Sequence, residues 1–149
     1  MSESKSTSAS LRVHGETLVP DEVSQVLKLK PDRSHVKGDV LFTNDKGLER
    51  LAVTGLWQLS TVDILSWNLD SQINEILGRA TLDLAVWTDL TARFQADMFC
   101  GVFPDFAEKF NNELRLKPAT LKSLSDRGLE LTLDIYQPSV VLQSSERGK

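Results

Sequence analysis

The sequence predicts an α+β protein of two layers, with helices packed on one face of a four- to five-stranded mixed sheet. Three patterns carry that prediction. Residues 129–136 alternate strictly, with Leu129, Leu131, Leu133 and Ile135 against Glu130, Thr132, Asp134 and Tyr136, as a strand with one covered and one wet face requires. Leu69, Ile73, Ile76, Leu77, Ala80, Leu84, Trp87 and Leu90 recur at three- and four-residue steps, the apolar face of one long helix or of two interrupted near 78–81. A strand followed by a helix opens the chain, and the same order returns after residue 95. The expectation is therefore a ferredoxin-like arrangement with two strand–helix–strand halves.

The elements follow in order. Residues 1–8 and 138–149 are rich in Ser, Lys, Glu and Gln and are expected as tails flanking one folded unit over 9–137. "SLRVHGE" alternates Leu11 and Val13 against Arg12 and His14, a strand. "LVPDEVSQVLK" sets Pro20 at a first helical position, acids in the first turn, and Val23, Val26 and Leu27 at helical spacing. "DVLF", "NDKG" and "LERLAVTGLWQLST" give a strand, a turn and a stronger strand over 56–61. "ADMFCGVF" is apolar on both sides, which suits an interior strand. "DFAEKFNNELRLK" is expected to be helical, with Asp105 and Glu108 at capping-box spacing. "ATLKSLSDRG" is a short helix whose Gly128 suits a left-handed C-terminal cap. An offset of 87 superposes "LKLKP" on "LRLKP" and pairs Leu11 with Met98 and Leu27 with Leu114. Duplication would produce this match, and so would chance between two strand–helix units.

Composition narrows the function classes. A chain of 149 residues builds one core without a disulfide or metal staple, and 40% hydrophobic with 26% charged residues is ordinary for a globular protein. The N-terminus lacks a secretory apolar run and no segment approaches a membrane span, so the expected location is the cytoplasm with no membrane partner. A net charge of −4 argues against nucleic acid as a partner. That charge is uneven: Lys28, Lys30, Arg33 and Lys37 against Asp32 carry +3, which leaves −7 elsewhere.

Familiar catalytic and metal patterns are absent. A Cys–His pair of Cys100 with His14 or His35 is outweighed by the apolar residues around Cys100, where burial raises a thiol pKa. Two histidines 21 positions apart and one cysteine do not make a metal site, and no phosphate loop or nucleophile elbow occurs. No enzyme activity, cofactor or metal is expected. Two candidate surfaces remain. In the basic turn, Arg33 has the fork geometry for a carboxylate or phosphate, with Ser34, His35 and Lys37 as further donors; the structural alternative is that Arg33 holds Asp39 or Asp32 and only fixes the loop. The wet sheet face should present Arg12, His14, Gln58, Ser60, Glu130, Thr132, Asp134 and Tyr136, with Phe99 and Phe103 at its centre. The alternative there is that residues 39–54 fold over the face and bury the phenylalanines.

"LRVHGETLVPDEVSQVLKLKPDRSHVKGD", "GLWQLST", "MFCGVF" and "LTLDIY" together resemble the bacterial family of domain of unknown function 4279, over about residues 11–136. The resemblance rests most on Arg33, Ser34, His35, Lys37, Gly38 and Asp39 after a proline, and on the strand at Trp57; "VLFTNDKGLERLAVT" departs from the pattern by its length. It implies a small intracellular bacterial protein in which those residues and Trp57 form one neighbourhood, and it supplies no catalytic residues. Small domains of this kind often act as partner-binding modules, toxin neutralisers among them. The expected function is thus a non-catalytic module binding an unidentified protein partner through the wet face and the adjoining turn. The rival is a small-ligand regulatory domain in which Arg33, His35 and Lys37 clamp an anionic small molecule.

Overall fold

The computed structural model describes residues 5–61, 66–107 and 111–137. In chain order they form β1 (Ser6–Gly15), α1 (Pro20–Leu27), β2 (Arg33–His35), β3 (Val40–Thr43), β4 (Glu49–Leu51), β5 (Gly55–Ser60), α2 (Leu69–Arg79), α3 (Leu84–Arg93), β6 (Gln95–Phe103), α4 (Pro118–Asp126) and β7 (Glu130–Ile135). The main sheet has the order β2-β5-β1-β6-β7, and β3 pairs with β4 in a separate two-stranded sheet.

β1 runs antiparallel to both β5 and β6, β2 antiparallel to β5, and β7 parallel to β6. It follows that β1 and β2 share a direction with β5 between them, and β5 and β6 share a direction with β1 between them. The chain therefore contains two interleaved strand–helix–strand units, β1–α1–β2 and β5–α2–α3–β6, with α4 adding β7 at one edge. These are not the units that the offset of 87 suggested.

Alternation along β1 assigns the layers. Ala9, Leu11 and Val13 are fully buried and join Trp57, Leu59, Met98 and Cys100 from the neighbouring strands in one core. Val23 and Leu27 of α1, Ile73, Ile76 and Leu77 of α2, Trp87 and Leu90 of α3, and Leu124 of α4 complete that core. The four described helices thus cover the same face of the sheet. One polar anchor joins the layers, the Trp57 indole Nε1 donating to Ser24 Oγ at 3.0 Å, and a second ties α3 to the segment before it, the Trp87 Nε1 donating to the Thr81 carbonyl at 2.9 Å. The long apolar stripe is two helices, because Asp83 caps α3 through a bond accepted from the Ala85 amide at 3.0 Å.

Three expectations change, and one open alternative is decided. The chain is ordered into β1 from Ser6, with Thr7 buried: its hydroxyl donates to Gln72 Oε1 at 2.7 Å and its carbonyl accepts from Gln72 Nε2 at 2.8 Å. This places residues 6–8 in the fold rather than in a tail, while the expected tail over 138–149 lies outside the described residues. Residues 111–117 are not helical. Their backbone is engaged elsewhere: the Glu113 carbonyl accepts from Trp67 Nε1 at 2.7 Å and the Lys117 amide donates to Asp70 Oδ1 at 2.9 Å. Residues 108–110 of that expected helix lie outside the described residues. Of the apolar set on β7, Leu129 is buried and Leu131 half-buried, but Leu133 and Ile135 are 44% and 57% exposed, since no described helix covers the far end of this edge strand. Finally, β3 and β4 project, with Phe42 59% exposed, and do not fold over the sheet.

Two glycines test this packing with opposite signs. A Cβ on Gly55 would lie 2.8 Å from the Leu18 carbonyl oxygen, whereas one on Gly78, inside α2, would meet nothing within 4 Å. Gly55→Ala should lower unfolding stability by about 1–3 kcal/mol, and Gly78→Ala should raise it by about 0.5–1 kcal/mol, both read by urea denaturation.

Candidate functional site

The face of the sheet opposite the helices is built from the other parity of each strand, and the register arranges it in rows. One row runs Arg33–Gln58–Arg12–Asp97–Glu130 across all five strands. Beside it on one side lies His35–Leu56–His14–Gln95, and on the other Ser60–Ser10–Phe99–Thr132. Further along come Ser8–Gly101–Asp134 and then Ser6–Phe103. Tyr136 follows β7 and stacks on Phe103, with ring centroids 4.6 Å apart and planes within 4°.

At the centre Arg12 makes a two-pronged contact with Asp97: Nε donates to Oδ1 at 2.9 Å and Nη2 to Oδ2 at 2.7 Å. Thr132 Oγ1 donates to the same Oδ2 at 2.7 Å, and the Arg12 guanidinium lies 4.2 Å from the Phe99 ring centroid. The network spans three strands and leaves Asp97 only 8% exposed. Burial pushes the Asp97 carboxyl up, but the hydrogen bonds from Arg12 and Thr132 and the charge of Arg12 outweigh it and hold the group below its ordinary range. The bond to Asp97 raises Arg12 in turn. An exposed Arg–Asp pair is worth little. This one is stacked, doubly bonded and largely shielded, so it fixes the middle of the face.

The basic turn resolves into separate roles. Arg33 and His35 belong to β2 and lie on the open face, while Ser34 between them takes the opposite parity, opposite Trp57. The Arg33 side chain is exposed and makes no hydrogen bond or ion pair among the described residues. The two acids that might have held it are used otherwise: Asp39 Oδ2 accepts from the Val36 amide and Asp32 Oδ2 from the Ser60 amide, each at 2.9 Å. Lys37 Nζ pairs with Glu16 Oε1 at 2.8 Å on the surface and draws the Glu16 carboxyl below its usual value. Lys37 and Asp39 therefore shape the turn instead of joining Arg33 in one clamp.

The other expected residues divide in the same way. Arg12, His14, Asp134 and Tyr136 share the open face, and Asp134 raises the Tyr136 phenol, first by a hydrogen bond and then by its charge. Trp57 is fully buried on the helix side, so it is a core residue and not part of any surface. Cys100 is also fully buried; desolvation, with Asp97 nearby, pushes its thiol up to about 12. Among the described residues no group of three or more His, Cys, Asp or Glu converges as a metal site. Sequence reasoning missed Asp97, whose signal was an opposite charge facing Arg12 once β1 and β6 are set antiparallel.

The family described as domain of unknown function DUF4279 matches residues 4–138, and the chain belongs to it. No curated protein and no solved structure matches the chain.

Replacing the central carboxylate tests the network. Asp97→Asn should destabilise the fold by about 2 kcal/mol at pH 7 by removing a charge-assisted pair. Because the folded-state pKa is depressed, that stabilisation is present above the unfolded carboxylate value of about 4 and is lost as pH falls through the lower folded value. Urea denaturation of both proteins at pH 7 and near pH 2 should show the difference shrinking in acid.

Proposed function

We propose that this chain is a non-catalytic protein-binding module, working in the cytoplasm, that engages an unidentified protein partner through the open face of its five-stranded sheet. One observation supports this above the others: the face carries stacked Phe103 and Tyr136 and half-buried Phe99 around a pre-set Arg12–Asp97–Thr132 network, and no described helix lies over it. Aromatic anchors beside fixed hydrogen-bonding groups within a polar rim are the composition of a recognition patch. Arg33 and His35 at one edge and Asp134 at the other supply a charged border. Regulation of an enzyme or neutralisation of a toxin would both be instances of such binding.

A second reading, a regulatory domain that takes an anionic small molecule at the turn, has one observation in its favour, the exposed guanidinium of Arg33, which has no partner among the described residues. Neither reading calls for a cofactor, a membrane or nucleic acid.

The two readings separate by substitution. Tyr136→Lys and Phe103→Ala should abolish retention of a specific partner captured on the immobilised protein, while Glu75→Ala on the exposed side of α2 should leave it intact. Equal retention by all three variants would refute the open face as the binding surface. Arg33→Ala should leave the melting temperature in phosphate unchanged relative to wild type; loss of a phosphate-dependent rise would favour the anion reading instead.

A further inference from the structure

Where the open face meets the end of the helix layer, the protein has a cleft of about 320 Å³, walled by His14, Phe94, Ala96, Asp97 and Glu130. Its charges are unequally engaged. Asp97 is neutralised by Arg12 and accepts a further hydrogen bond from Thr132. Glu130 is exposed and makes no ion pair or hydrogen bond with its side chain among the described residues. The adjoining hollow, lined by His14, Arg93 and Phe94 among others, holds a cation of the protein's own. Arg93 there is paired with Asp89 at 3.1 Å, reaches Glu22 at 4.0 Å, and lies 4.7 Å from the Phe94 ring centroid. Glu16, which also borders that hollow, is occupied by Lys37.

Backbone adds to the bias. α3 ends at Arg93, and its last turn borders both spaces, so carbonyl groups with no partner inside the helix give this end a partial negative charge. Phe94 and Ala96 supply an apolar wall. A carboxylate with no partner among the described residues, a helix C-terminus and an apolar wall in a space of this size fit one chemical class. An anion would meet Glu130 and the helix end with the wrong sign, and a purely apolar ligand would leave the carboxylate without a partner.

We propose that this cleft is a binding site for a small organic cation, an ammonium or guanidinium group on a short apolar stem, with the charged head at Glu130 and the stem along Phe94 and Ala96. The site stands apart from the protein-binding reading, since a ligand of this kind needs no partner on the rest of the face. Butylammonium, propylguanidinium and butyrate, titrated separately into the full chain and followed by amide NMR shifts, test it directly. Both cations should shift the amides of His14, Gln95 and Glu130 with dissociation constants on the order of 1 mM, and butyrate should not. Glu130→Gln, an exposed position whose change leaves the fold intact, should weaken both cations at least about tenfold, whereas Glu75→Gln should change nothing. Equal shifts from butyrate, no shifts up to tens of millimolar, or unchanged affinity in Glu130→Gln would each overturn the assignment.

Discussion

The structure depends on the parity of its middle strand. β1 has antiparallel partners on both sides, so its odd residues Ala9, Leu11 and Val13 and its even residues Ser8, Ser10, Arg12 and His14 set the character of the two faces for the whole sheet. A one-residue slip would drive Arg12 under the helices and lift Leu11 into water. The cost of burying an unpaired guanidinium makes that slip prohibitive. The Arg12–Asp97 contact is thus a consequence of the register and also a lock on it, because Asp97 is the residue directly across from Arg12 on β6.

From that constraint the division of labour follows. Helices need cover only one face, and α1, α2, α3 and α4 do so with a single shared core. The middle of the other face keeps its polar groups satisfied within the sheet, as the Ser10–Ser60 hydroxyl contact at 2.8 Å and the bonds to Asp97 illustrate. A face whose polar groups are already oriented loses little conformational freedom when something docks on it. The buried Cys100 lies beneath this layer on the helix side, shielded from solvent and with its thiol pushed up by burial.

Legibility in the sequence tracked how local each determinant was. Pro20 marked the start of α1 and Gly128 the turn after α4, and each acts within a few residues. Arg12, His14, Asp134 and Tyr136 were readable as one face because parity alone places them. Trp57 shares parity with Gly55 and Leu59, both buried, which places it in the core, whereas the family resemblance had grouped it with the turn residues. What local pattern could not give were contacts across long separations. Arg12 finds Asp97 85 positions away, and residues 111–117 give up helix because Trp67 and Asp70 take their backbone groups.

The central claim is that water, and hence a partner, reaches the open face of the sheet, while the helix side is dry except at the far end of β7. Proton relaxation by a soluble paramagnetic agent measures this side chain by side chain. The account predicts strong enhancement at Phe103, Tyr136 and Thr132, weaker enhancement at Phe99, and almost none at Trp57, Trp87 or Met98. Shielding of Phe103 and Tyr136 to the level of Trp57 would mean that the face is covered, and would contradict it.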